Sequence, residues 1–290
     1  MWKQLDALHR RIASVALSAA ARHGFALGGG NALIAHGVIN RLTEDVDLVT
    51  NRERGVRAAA GPVEAALRRE GFTAQRDTRL AGLFPDWEDG MTEWTITAPS
   101  GRRTDLQMAC FDRSREPVFM EGIGPVLHLE DVAGNKVWAL ADRVKVRDYV
   151  DTAALLARWT PAELIGFARR VEPDLPDRYL ADAARRLDQM PDEAFMSSGL
   201  TRQDVATLRK RFAAWPRDAR AVSRGKGDSA ARQEREEPSH TRGQSRDLRV
   251  GSEDARPRAE RGQGQAAQRP GRRRPAGRER IRDDEPELDR

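Results

Sequence analysis

Residues 28–50 read GGGNALIAHGVINRLTEDVDLVT, and the reading of this stretch decides the fold. Three glycines open it, a short apolar run follows from Ala32 to Val38, and Asp45-Val46-Asp47-Leu48-Val49 closes it in polar–apolar alternation. Such alternation predicts a strand. Side chains two apart on a strand share a face, so Asp45 and Asp47 point together while Val46 and Leu48 point into the core. Paired carboxylates repel, and a divalent cation is the usual means of keeping both ionised. The glycines let the backbone approach a ligand. The short helix expected from Asn31 to Val38 would turn its unpaired N–H groups and positive dipole end toward them, a seat for phosphate. The pattern is neither a P-loop nor G-x-G-x-x-G. The bland readings are a tight turn and a solvated edge strand. Val46, Leu48 and Val49 argue instead for a central strand, where paired carboxylates need a partner.

Outward from this stretch the chain changes texture twice. Residues 3–22 read as an amphipathic helix, with Leu5, Leu8, Ile12 and Val15 on one face, followed by a short strand at 25–27. A helix is expected over 56–70, a strand over 72–76 and a loop over 77–90. Residues 92–97 and 103–111 alternate around Pro99-Ser100-Gly101 and form the best hairpin signal in the chain. Asp105 lies on its second strand, where a sheet can bring it beside Asp45 and Asp47. Met108 and Cys110 fall on the opposite face, and Trp94 and Trp138 fall in core patterns. A loop with Pro117, Gly122, Gly124 and Pro125 follows. From 129 to 214 the pattern is helical, with Thr160-Pro161-Ala162-Glu163 as a capping box and Thr201-Arg202-Gln203-Asp204 resembling another. Pro173, Pro176 and Pro191 mark helix boundaries. The fold class is therefore α+β: a mixed sheet flanked by helices (1–125), a helical bundle (126–218), then a tail (219–290).

Bulk composition supports this division. Residues 221–290 hold no Phe, Trp or Tyr and carry 18 Lys/Arg against 14 Asp/Glu, while the remaining 220 residues carry 32 against 31. The basic balance of the whole chain thus comes mostly from the tail, which is too poor in apolar groups to offset its ordering entropy and is expected to be disordered. Cys110 is the lone cysteine, which excludes an internal disulfide or cysteine-based zinc site and suits the cytoplasm. No apolar run reaches the ~18 residues of a membrane span. Arg10-Arg11 before IASVALSAA has the outline of a signal peptide, but Asp6 and the helical spacing favour a folded helix.

Together, the glycine turn, the short helix, the D-x-D strand and the later strand Asp resemble the nucleotidyltransferase fold of the DNA polymerase beta type. Fourteen residues separate Gly30 from Asp45, a longer connection than that pattern usually has. The finer text, G-G-N-A-L…H-G…N-R-L-T-E-D-V-D-L, resembles the AbiEii/AbiGii toxin group. So does a second block, with Lys136-Val137-Trp138-Ala139-Leu140, Arg143 and Arg147-Asp148-Tyr149-Val150-Asp151. The resemblance covers roughly residues 24–155. It implies an NTP-dependent nucleotidyltransferase using Mg2+ or Mn2+, with Asp45, Asp47 and Asp105 as catalytic metal ligands. It also implies Gly29, Gly30, Asn31, Lys136, Arg143 and Asp148 around the nucleotide. Asp148 and Asp151 share a helix face, where they orient Lys136 or Arg143 or touch the nucleotide; Asp148 is the preferred choice. Arg41 either pairs with Asp47 or Glu44 or contacts the nucleotide. His36 reads as a packed or helix-end histidine.

The implied partners are an NTP, an RNA (tRNA included) or protein acceptor, and a cognate antitoxin, with no membrane. Two rivals share the sequence. A small-molecule, antibiotic-type transferase would use the same carboxylates, but the basic residues Lys136, Arg143, Lys145 and Arg147 favour an anionic acceptor. A non-catalytic nucleic-acid binder would use the Arg272–Arg274 run, whose field Asp283, Asp284 and Glu285 largely cancel.

Overall fold

Val46 and Leu48 are fully buried, and the strand that carries them sits in the middle of the sheet. The computed structural model describes residues 5–79, 87–143 and 145–223. Its strands are β1 (Ala26–Leu27), β2 (Asp45–Thr50), β3 (Thr73–Arg76), β4 (Met91–Thr97), β5 (Arg103–Cys110), β6 (Val118–Met120) and β7 (Gly124–Val126). They form one mixed sheet in the order β3-β4-β5-β2-β1-β7-β6. β2 runs parallel to β5 and antiparallel to β1, and β1 runs parallel to β7. The expected β4–β5 hairpin is present in full register, from Met91 opposite Ala109 to Thr97 opposite Arg103.

Helices cover the sheet. They are α1 (Ala7–Ala19), α2 (Gly29–Ala35), α3 (Gly55–Arg69), a single turn α4 (Trp87–Gly90), α5 (Leu129–Arg143), α6 (Val146–Leu155), α7 (Pro161–Val171), α8 (Asp177–Gln189), α9 (Asp192–Met196) and α10 (Arg202–Arg211). Local chemistry sets their ends. Asp6 caps α1, accepting the Leu8 and His9 amides at 2.9 and 3.3 Å. Thr160 and Thr201 form reciprocal capping boxes with Glu163 and Asp204. Pro176 and Pro191 stand immediately before α8 and α9.

One apolar cluster runs from Leu8 and Ile12 of α1, through the sheet, to Leu164 of α7 and Leu187 of α8. Trp94 lies wholly inside it, with its indole N–H donated to Glu64 at 3.2 Å. Trp138 is partly buried and its ring meets Phe111 at 5.9 Å. The buried Tyr149 on α6 donates its hydroxyl to the Ala183 carbonyl at 2.7 Å, which fixes α6 against α8.

The structure departs from the sequence reading in four places. α2 begins at Gly29 rather than Asn31, so two of the three glycines are its first residues. The loop expected between 112 and 128 contains the β6–β7 hairpin, with Pro125 opposite Phe119. β7 meets β1 through one residue pair, Leu27 and Val126, so a proline without an N–H is tolerated there. In the loop expected at 77–90, residues 87–90 form α4, and 80–86 lie outside the described residues. Near the C-terminus, a helical turn at 219–223 is capped by Asp218, whose carboxylate accepts the Ala221 amide at 2.7 Å, and it buries Val222. The expected disordered tail otherwise lies outside the described residues. Among the described residues, no helix is long and apolar enough to cross a membrane.

Candidate active site

The sheet register brings the acids together. β2 and β5 are parallel, and Asp45 pairs with Asp105 while Asp47 pairs with Gln107. Paired residues on neighbouring strands point to the same face, so Asp45, Asp47 and Asp105 share one. Met108 lies buried on the other. Asp105 is exposed at its strand start and accepts the Thr95 hydroxyl at 3.1 Å.

The glycine turn lies directly against this face. The Gly28 amide donates to the Asp47 carbonyl at 2.8 Å, which ties the turn to β2. Gly29 adopts φ +57°, and a Cβ there would stand 1.7 Å from Asp47 Oδ2. A Cβ on Gly30 would meet the Thr43 methyl at 2.7 Å and Arg41 Nη2 at 3.7 Å. The first intrahelical bond is Ala32 N–H to Gly28 O, 3.0 Å, so the amides of Gly29, Gly30 and Asn31 lack intrahelical acceptors. Gly29→Ala is therefore expected to swing the Asp47 carboxylate out of place. The left-handed backbone adds roughly 1–2 kcal/mol of strain. Activity should fall about a hundredfold. Parallel measurement of kcat and thermal melting checks this; kcat within about twofold of wild type would contradict it.

Two buried acids on α6 hold the cations that face the sheet. Asp151 is 0% exposed and carries two partners. Arg41 donates to it from Nε and Nη2 at 2.9 and 2.8 Å, and Lys136 Nζ, on α5, approaches at 2.9 Å. Lys136 is itself only 7% exposed. Burial alone would raise the Asp151 carboxyl, but Lys136 and Arg41 together hold it below its ordinary value. Asp148, also 0% exposed, takes Arg143 in a two-point contact at 3.1 and 3.2 Å. Arg147 bridges Glu44 at 2.6 Å and approaches Asp45 at 3.8 Å. Lys145 beside them is exposed; desolvation pushes its ammonium down, and Arg147 and Arg143 add to the shift.

The partner of Arg41 is thus Asp151, not Asp47 or Glu44. Asp148 spends both carboxylate oxygens on Arg143. Asn31 is buried, and its side chain is spent inside the protein: Nδ2 donates to the Asp45 carbonyl at 2.8 Å, and Oδ1 accepts the Thr43 hydroxyl at 2.7 Å. His36 ends α2 and contacts the Leu127 carbonyl at 2.8 Å. Sequence reading ranked Asp151 behind Asp148 and did not single out His9, Thr43 or Thr104. The R-D-x-x-D spacing was the available signal for Asp151; the others carried none.

The charge balance fits a divalent cation. The Asp47 carboxyl is pushed up from 3.8 to about 6, first by burial and then by Asp45, with Lys136, Arg143 and Arg147 pulling the other way. Among the described residues, no three Asp, Glu, His or Cys side chains are grouped closely enough to hold a metal ion, so Asp105 shares the face of Asp45 and Asp47 without joining them in a ready three-carboxylate site. An open donor set of this kind suits Mg2+, which is held by one or two carboxylates and completed by water and phosphate oxygens. A raised carboxyl favours the fold when protonated, and that contribution is lost as pH rises through about 6. A cation on ionised Asp47 must displace that proton. Mn2+ affinity should therefore rise up to tenfold per unit as pH climbs to about 6, then level off. Calorimetric titration over that range checks this; affinity flat across it would contradict the assignment.

Comparison with known proteins gives one family match. The family model described as nucleotidyl transferase AbiEii toxin, type IV TA system, matches residues 15–220. Among solved structures, the chain is similar to JHP933 from Helicobacter pylori, at 17% identity over 80% of this chain and 100% of that one, with a TM-score of 0.46. It is also similar to MenT4, a nucleotidyltransferase toxin from Mycobacterium tuberculosis, at 17% identity over 78% of this chain and 89% of that one, with a TM-score of 0.45. No curated protein matches the chain.

Proposed function

The chain belongs to the AbiEii family of nucleotidyl transferase toxins of type IV toxin–antitoxin systems, and from that premise we propose that it moves a nucleotide from an NTP to an RNA hydroxyl with the help of Mg2+ or Mn2+. The observation that carries this reading is the common face of Asp45, Asp47 and Asp105, with Asp47 against the glycine turn. Asp45 and Asp47 would hold the cation, which would supply neutralisation of the phosphate charge. The backbone of Gly29, Gly30 and Asn31 bounds the triphosphate on one side. Lys136 and Arg143 bound it on the other, held in place by Asp151 and Asp148. Arg41 braces the loop before β2 through its bond to the Leu42 carbonyl, 2.9 Å.

Asp105 takes the proton of the acceptor hydroxyl as its oxygen bonds to the α-phosphorus. The bond from that phosphorus to the bridging oxygen breaks, and pyrophosphate leaves toward Lys136 and Arg143. Such chemistry needs placement and charge neutralisation more than covalent help. Lys136, Arg143 and Arg147 act on the Asp47 carboxylate, and this positive charge suits a polyanionic acceptor better than a cationic antibiotic. A protein acceptor would share the acids but not this need for positive charge. The reaction draws on cytoplasmic nucleotide pools, and the family's description implies a cognate antitoxin. Incubation with labelled NTPs, Mg2+ and bulk tRNA tests the reading, with the Asp45→Ala/Asp47→Ala double variant as control. Label must appear in RNA with the wild type alone; equal labelling by both proteins would remove the proposal.

A further inference from the structure

Beneath the acids lies a buried chain of polar side chains that the reaction does not use. His9 of α1 is 4% exposed. Its Nδ1 stands 2.9 Å from the Thr43 hydroxyl, and its Nε2 stands 2.8 Å from the Thr104 hydroxyl. Thr43 lies two residues before Asp45, and Thr104 lies one residue before Asp105. The imidazole therefore spans the starts of β2 and β5, whose first facing pair is Asp45 and Asp105.

The hydrogens in this chain can be counted. Asn31 must present Oδ1 to Thr43, because its Nδ2 donates to the Asp45 carbonyl. The Thr43 hydroxyl hydrogen is thus spent on Asn31. The Thr104 hydroxyl has two acceptors in reach, the Glu44 carbonyl at 2.9 Å and the His9 ring. Burial is the largest influence on the imidazole and holds its pKa below the ordinary value; Arg102 on the β4–β5 turn adds to that, and Asp6 and Asp45 oppose it. The neutral ring therefore donates from Nδ1 to the Thr43 oxygen and accepts the Thr104 hydroxyl at Nε2.

We propose that His9 is a positioning residue for the acidic cluster: by bridging Thr43 and Thr104 through its two ring nitrogens, it fixes the approach of Asp45 to Asp105. This rests on the reading of those acids as the reacting groups. Without the ring neither hydroxyl keeps this partner, and each strand start is then free to shift. The metal-holding and proton-accepting carboxylates would lose their mutual spacing, while the triphosphate cations on α5 would be untouched. The effect belongs to kcat and not to NTP binding.

The test uses the full chain. His9→Phe keeps the ring volume and removes both polar contacts; His9→Gln restores a donor and an acceptor. The expected result for His9→Phe is a fall in kcat of about tenfold or more, with KM for NTP moving less than about twofold, and a partial return of kcat in His9→Gln. In the wild type, nitrogen-15 spectra at about pH 7.5 should carry one ring N–H signal for His9, on Nδ1. An unchanged kcat in His9→Phe, or a ring hydrogen on Nε2 with Nδ1 bare, would overturn the proposal. So would a loss of kcat that tracks loss of folded protein in both variants. Asp47→Asn serves as the control. If that variant labels RNA as well as wild type does, the reading of the acids has failed. If it is inactive while His9→Phe is not, only the role of His9 falls.

Discussion

Asp47→Asn is expected to abolish nucleotide transfer while making the ligand-free protein more stable. Transfer should fall by about a thousandfold or more, because an amide cannot hold the cation that neutralises the phosphates. Stability should move the other way. The Asp47 carboxyl sits well above its ordinary value through burial and the Asp45 charge, so its ionised form burdens the fold above about pH 6. The amide removes that burden and keeps the side chain's shape. Opposite movement of activity and stability marks a group kept for function and not for folding. Label incorporation and melting temperature, both at about pH 8, check the two halves. A variant that is inactive because it melts lower than wild type would contradict the account.

Asp151→Ala should have the largest effect on stability. It leaves the buried Lys136 ammonium and the Arg41 guanidinium without their shared counter-charge. Removing one partner from a buried ion pair is worth about 3–5 kcal/mol. For a fold of this size that corresponds to a fall in melting temperature on the order of 10 °C. NTP affinity should fall with it, since Lys136 loses its anchor. The pH dependence has a definite sign. Asp151 is held below its ordinary value, so its contribution is complete above about pH 3.8 and is lost as pH falls through its folded value. That acid-side loss should be absent from Asp151→Asn. A melting temperature within about 2 °C of wild type in Asp151→Ala would contradict the bracing role.

The legible parts of this protein are those where one local pattern has one structural answer. Alternation around Asp45 and Asp105 gave two central strands, and the register then put the acids on one face without further information. Thr160 and Thr201 declared their helix starts through side chains that have few other uses. The β6–β7 hairpin was hidden because its strands are three residues each and contain Gly124 and Pro125, which read as loop. α2 began early because a Gly-Gly start carries no capping side chain.

In the site, sequence spacing brought out residues on one element but not partners across elements. Lys136 and Arg143 stood out on α5, and Asp148 and Asp151 on α6, but which acid holds which base depends on how the helices pack. Arg41 reaches Asp151 across 110 positions of sequence. The His9 bridge to Thr104 spans 95, and neither residue type advertises it.

The central claim is that Asp45 and Asp47 share a cation beside the glycine turn, and Mn2+ located by anomalous scattering in crystals with an unreactive NTP analogue tests it most directly. The expected ion lies about 2.1 Å from a carboxylate oxygen of each residue, with the triphosphate between Gly29–Gly30 and Lys136. An ion held by other groups, or a triphosphate seated away from that turn, would contradict it.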